Sequence, residues 1–169
     1  LMVREGDEVR AGTPLFYDKN NESIIFSSPV SGEVIEILRG EKRKILEIKI
    51  LADKETEYVT FSKADPGDLS RESIIQALLS SGIWPFIRQR PFGIIANPDE
   101  KPKSIFISAF DSNPLAPDND FIMTGNEAEF QAGLDALKKL TDGLLHLNIR
   151  DDASTAGIFL NARGVQLNR

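Results

Sequence analysis

The side chains that could do chemistry are few and fall in three places. In SGIWPFIRQRPF (81–92), Trp84, Phe86 and Phe92 are interleaved with Arg88 and Arg90. Flat apolar rings beside guanidinium groups suit stacking on a planar ring or anchoring a protein interface. The same aromatics could equally fill a core, and the sequence leaves these uses open.

A second group, FDSNPLAPDND (110–120), offers Asp111, Asn113, Asp118 and Asp120 as oxygen donors after an apolar run. Its spacing does not match the EF-hand ligand pattern, so it reads as a solvated loop at a place where open α/β sheets carry ligand sites. The third is His146, the one histidine, inside the apolar run LLHLNI (144–149). No serine or cysteine accompanies it in the manner of a nucleophile–base pair, which predicts a structural histidine. There is no cysteine, so thiolate iron–sulfur ligation, a cysteine-based zinc site and a cysteine nucleophile are all excluded for this stretch.

The 169 residues carry a formal charge of −6. Residues 1–50 hold 8 Lys and Arg against 9 Asp and Glu, and residues 51–169 hold 12 against 17, so neither half has the basic balance of a nucleic-acid binder. No apolar run approaches the ~20 residues of a membrane span, and LMVREGDEV lacks the regions of a signal peptide. Because that opening already reads as the interior of a β-rich pattern, the chain is expected to be a fragment of a longer protein.

Two kinds of periodicity position these groups. From Val3 to Ile50, short apolar bursts at 14–17, 23–27, 33–38 and 45–50 alternate with Gly6, Gly12, Asn20-Asn21, Pro29, Gly32 and Gly40. That spacing predicts a small all-β unit over 1–62, with 58–61 as a last strand. Leu46, Ile48 and Ile50 alternate with Glu47 and Lys49, as one half-buried strand paired with 33–38 across a basic, solvated turn, 39–44. The polar stretch 62–68 ends this unit.

Beyond it, over 63–169, the spacing predicts an α/β domain. Ser70 can cap a helix over 71–81 that Gly82 stops. The runs 104–110 and 144–149 flank a helical stretch, 127–141, in the order of a parallel βαβ unit. Thr124 to Glu127 matches a capping box for that helix, whose Phe130, Leu134 and Leu137 face the core. Gly157–Leu160 is expected to add a strand.

The stretches 3–48, ESIIQALLSSGIWPFIRQRPF (72–92) and SIFISAFDSNPLAPD (104–118) together resemble the A subunit of the bacterial Na⁺-translocating NADH:quinone oxidoreductase. The phrases SGIWPFIRQRPF and FDSNPLAPD carry most of the specificity, since GDxVxxGxxL…PxxGxV occurs in many biotinyl and lipoyl domains. The resemblance implies an α+β, multi-domain chain: a barrel-sandwich (biotinyl/lipoyl-like) unit at 1–62, then a partial α/β domain at 63–169 resembling, more distantly, the flavin-binding subunit of complex I. It implies a soluble, peripheral component on the cytoplasmic face of the bacterial inner membrane. Its partners would be the other subunits of the complex, with membrane contact only through them, and NADH, flavins and Fe–S centres would reside in those subunits.

Two rival uses follow from the same likenesses. A carrier domain needs a lysine about eight residues before the Pro of its PxxG turn; counting back from Pro29 gives Asn21, with Lys19 two residues earlier, so covalent modification is not expected. A flavin- and NADH-binding subunit needs a glycine-dense loop after the first helix, so that amides can approach phosphates. Here that loop holds Pro85, Pro91 and bulky side chains, and neither GxGxxG nor a P-loop occurs, so no dedicated FMN or NADH site is expected. The remaining candidates are Trp84, Phe86, Arg88 and Arg90, as a contact with quinone or with another subunit. Of these, Arg88 and Arg90 are able to donate hydrogen bonds to quinone carbonyls.

Overall fold

A computed structural model describes residues 1–151 and 157–169. Contacts group the chain into two compact units, Leu1–Lys63 with Ile75–Asn97, and Ala64–Ile74 with Pro98–Arg169. The stretch 75–97, which the sequence assigns to the second domain, thus packs with the β unit.

In the first unit, β1 (Glu8–Val9), β4 (Gly32–Arg39) and β5 (Ile45–Ala52) form an antiparallel sheet in the order β1-β4-β5, while β2 (Pro14–Asp18) and β3 (Asn21–Ser27) pair as a hairpin. Val3, Val9, Leu15 and Val34 meet as its core, with Phe16, Ile37, Ile48 and Ile50 packed against them. The four strands predicted over 14–50 and the β4–β5 pairing are present. Leu46 departs from the expected alternation: it is 58% exposed because the register shifts between Leu38 and Arg39, turning the end of the hairpin so that Leu46 lies over Gly40. Residues 58–61 form no strand; Tyr58 makes a single parallel bridge with Ala11.

Gly32 is the close point of this sheet. Its φ of +143° is one that L side chains rarely adopt, and a Cβ placed there would sit 2.0 Å from the Leu51 carbonyl oxygen, so only glycine lets β4 and β5 pair at that position.

Helix α1 spans Arg71–Ser80. The Ser70 hydroxyl accepts from the Ser73 amide at 3.2 Å, as an N-cap should, and Gly82, with φ +73°, stops the helix. Ile74, Ile75 and Leu79 form its buried stripe.

In the second unit, β8 (Ile105–Ser108), β9 (Leu145–Asn148) and β10 (Gln166–Asn168) make a parallel sheet in the order β10-β9-β8, with α3 (Glu127–Lys138) as the crossover between β8 and β9. Leu145 and Leu147 point into the core at 1% and 0% exposure. Ala109, Leu147, Ile149, Ile158 and Phe159 form a cluster there, and Phe130 meets Phe159 edge to face at 5.3 Å.

Two local expectations fail here. Thr124 does not cap α3: it ends the preceding helix α2 (Asn119–Met123), its hydroxyl donating back to the Asp120 carbonyl at 2.9 Å, and Asn126 takes the N-cap position without a side-chain bond. Gly157–Leu160 is a helical turn, α4, closed by Asn161 N donating to Gly157 O. Burying the adjacent residues Ile158 and Phe159 together is incompatible with strand alternation, and 166–168 supplies the third strand instead.

Candidate functional site

The segment from Ile83 onward is built as an anchor and a projecting hairpin, all inside the first unit. Trp84, Pro85 and Phe86 form one 3-10 turn, in which Trp84 and Pro85 are buried. The Trp84 ring is 3% exposed, and its Nε1–H donates to the Ala96 carbonyl at 2.7 Å. A buried indole needs such a partner, and the bond ties the start of the segment to its return.

Between those two ends, β6 (Arg88–Gln89) and β7 (Ile94–Ile95) pair antiparallel, extended by Ala96 N donating to Ile87 O and closed by Gly93 N donating to Gln89 O. Arg88 Nε donates to the Gly93 carbonyl at 2.9 Å, so this guanidinium also clasps the hairpin. Around the paired backbone, Phe86 and Phe92 are each 81% exposed, as are Ile83 and Ile94 to about half. Arg88 and Arg90 are exposed as well.

The four candidates from the sequence therefore do not form one cluster. Trp84 fills the core, so its ring faces are not open to a planar ligand. Phe86, Arg88 and Arg90 lie on the projecting part, with Phe92 at its turn. An open aromatic pair with two cations and no carboxylate within 83–94 can cover a planar ring or seat in an apolar, electronegative face.

Several of the segment's amides are already engaged. The amides of Phe86, Ile87, Gly93 and Ala96 donate to carbonyls within it, and Pro85 and Pro91 have no amide hydrogen to offer.

The other sequence candidates lie elsewhere. In the second unit, His146 stacks on Phe106 with ring centroids 4.4 Å apart and planes 6° from parallel, and Asn168 approaches its Nδ1 at 3.3 Å. That is a packed pair on the sheet, not a nucleophile–base arrangement. Asp111 accepts from the amide of Asn113, and Asp118 caps α2 by accepting from the amides of Asp120 and Phe121. These carboxylates order their own loop. Among the described residues, no three His, Cys, Asp or Glu side chains converge as a metal site, and no helix is long and apolar enough to cross a membrane.

Back in the first unit, the structure corrects the reading of the β2–β3 hairpin. Asp18 pairs with Asn21, leaving Lys19 and Asn20 as its two-residue turn, so a lysine does stand at the tip. The count from Pro29 misplaces it because the β2–β3 register shifts twice, which uncouples sequence spacing from position along the hairpin.

Comparison with known proteins accounts for most of the chain. Residues 1–53 match the family model described as the NqrA N-terminal barrel-sandwich hybrid domain, and residues 69–169 match the NqrA second alpha/beta domain. The chain is similar to the A subunit of the Na(+)-translocating NADH-quinone reductase of Rhodopirellula baltica, 37% identical over 161 residues that cover 93% of this chain and 35% of that protein. It is 38% identical over 157 residues to the same subunit of Actinobacillus pleuropneumoniae serotype 5b, covering 92% and 35%. With that of Photorhabdus laumondii it shares 37% over 149 residues, covering 87% and 33%. The chain thus spans about a third of the length of the curated relatives it matches.

Proposed function

The chain belongs to the NqrA family, and from that premise we propose that it serves as part of a peripheral subunit of a Na⁺-translocating NADH:quinone reductase. In this reading it contributes assembly and a quinone-side contact, not a redox centre of its own. NADH, flavins and Fe–S centres belong to the other subunits, and the chain reaches the cytoplasmic face of the membrane through them. The region 69–169 that matches the second alpha/beta domain is read as a relative of the flavin-binding subunit of complex I in which the aromatic hairpin stands where the phosphate-holding loop would be.

The observation that carries the reading is the exposure of Phe86 and Phe92 on a hairpin closed by backbone hydrogen bonds and fixed at its base by Trp84. Two phenyl rings kept in water by a rigid support disfavour the isolated state, and covering them returns roughly 25 cal/mol for each Å² removed from water. Rigid presentation also lowers the ordering cost of association. Arg90 and the outer nitrogens of Arg88 supply the polar donors: to carbonyl oxygens of a quinone ring, or to carboxylates of the partner face.

Titration of Trp84 emission tests the quinone arm, since this is the one tryptophan and its turn continues directly into Phe86. A water-soluble short-chain quinone should quench saturably and Phe86→Ser with Phe92→Ser should abolish the response. FMN and NADH, corrected for their own absorbance, should give none. Saturable quenching by FMN or NADH would overturn the assignment of those cofactors to other subunits.

One observation favours a second reading, a carrier-type use of the barrel-sandwich unit: Lys19 is exposed at the tip of the β2–β3 turn. The mass of the proteolytic peptide that carries Lys19, from protein isolated from its native cell, decides between them. An unmodified Lys19 peptide supports the subunit reading; an added biotinyl or lipoyl mass on Lys19 selects the carrier.

A further inference from the structure

At the carboxyl end of β8, in the second unit, the chain holds an apolar side chain outward at a conformational cost. Asn113, Pro114, Leu115 and Ala116 form a β-turn closed by Ala116 N donating to Asn113 O at 3.1 Å. Leu115 sits at its third position with φ +62°, the left-handed region that such turns reserve for glycine or asparagine. The turn is braced, since Asp111 accepts from both the amide and the side-chain Nδ2 of Asn113. Leu115 is nonetheless fully exposed, so no packing within its unit offsets either the backbone strain or the hydration of its side chain. Strain of this kind persists where a function uses it.

The helix that follows a few residues later exposes apolar side chains as well. In α2, Phe121 is 80% and Ile122 53% exposed. The stretch that carries them is acidic: from Ser104 to Leu137 there are six carboxylates, Asp111, Asp118, Asp120, Glu127, Glu129 and Asp135, and no lysine or arginine. A cytoplasmic leaflet is anionic, so these carboxylates oppose docking on lipid. A protein face with an apolar pocket ringed by lysine and arginine complements both features.

We infer that Leu115, Phe121 and Ile122 form a docking surface for another subunit of the assembly, one that presents an apolar pocket within a basic rim. Leu115 is the anchor and the carboxylates steer the approach. The inference rests on the reading of the chain as one subunit of an assembly.

The experiment is co-sedimentation of the chain with membrane vesicles that hold the remaining subunits and lack this one. Wild type, Leu115→Gly and Phe121→Ser are compared, with Lys54→Ala, an exposed change in the other unit, as control. Wild type and the control should bind equally, and both variants should bind roughly tenfold more weakly or worse, as loss of an interface anchor does. Glycine suits the turn, so Leu115→Gly should unfold at the same temperature or higher, which separates lost docking from lost folding. Binding should also weaken as salt screens the carboxylates. Equal binding by wild type and both variants overturns the surface, and salt-independent binding overturns the basic rim. Equal sedimentation with protein-free anionic vesicles, or self-association that Leu115→Gly abolishes, assigns the face to lipid or to a second copy and overturns it too. Wild-type chain that fails to sediment with the loaded vesicles overturns the subunit reading and this surface with it.

Discussion

The sharpest structural claim about the aromatic segment is that Trp84 is an anchor and Phe86 is not, and Trp84→Phe isolates it. Phenylalanine keeps a ring in the buried site but removes the Nε1–H that donates to the Ala96 carbonyl at 2.7 Å. Leaving that carbonyl without its partner costs about 1–3 kcal/mol. The smaller ring leaves a void worth roughly 1 kcal/mol more, for a total of about 2–4 kcal/mol. Phe86→Ser changes a side chain that is 81% exposed and should stay within ~0.5 kcal/mol of wild type. Urea unfolding followed by far-UV circular dichroism measures both without relying on the tryptophan itself, with the slope of the transition checked for constancy. If Trp84→Phe unfolds within ~0.5 kcal/mol of wild type, or if Phe86→Ser is the more damaging change, the division into anchor and outward face is wrong.

Two further predictions concern the scaffold. Gly32→Ala forces a Cβ against the Leu51 carbonyl at a φ of +143° and should cost about 3 kcal/mol or more, read as a lowered urea midpoint; a change under ~1 kcal/mol would mean that β4 and β5 shift apart freely. Glu72, in the first turn of α1, has its carboxyl held below the ordinary value of 4.5 by hydrogen bonds with its own backbone amide and the Ser70 hydroxyl. A depressed carboxylate stabilises the fold above its unfolded value and loses that contribution as pH falls through the folded value. Wild type should therefore exceed Glu72→Gln in thermal midpoint at neutral pH, with the difference shrinking as pH drops below about 4.5; a constant gap would contradict it.

Much of the scaffold was legible because hydrophobic period and turn residues agree over long runs. The bursts at 33–38 and 45–50 pair as expected, and the order of 104–110, 127–141 and 144–149 gave the parallel crossover. What escaped depends on one-residue irregularities. Register shifts moved Lys19 to a hairpin tip and turned Leu46 outward, and no composition marks a bulge. Thr124 satisfied the capping pattern for α3 while serving α2, since a hydroxyl between two helices has carbonyls behind it as well as amides ahead. The split between Trp84 and Phe86 was equally hidden: both are aromatic and two residues apart, and only the indole bond to Ala96 fixes which one turns inward. At Leu115 a signal was present, since Asn-Pro favours a turn, but its left-handed φ and full exposure had to be seen in three dimensions.

The central claim is that the 86–92 hairpin faces the rest of the assembly. Photocrosslinking tests it most directly, with benzoylphenylalanine placed at position 92 of this chain in the assembled complex and, as control, at position 61 on the β unit. The account predicts an adduct from position 92 to another subunit, competed by a short-chain quinone if the ring site lies there, with position 61 giving little. An intact complex with full NADH:quinone activity and no adduct from position 92 would contradict it.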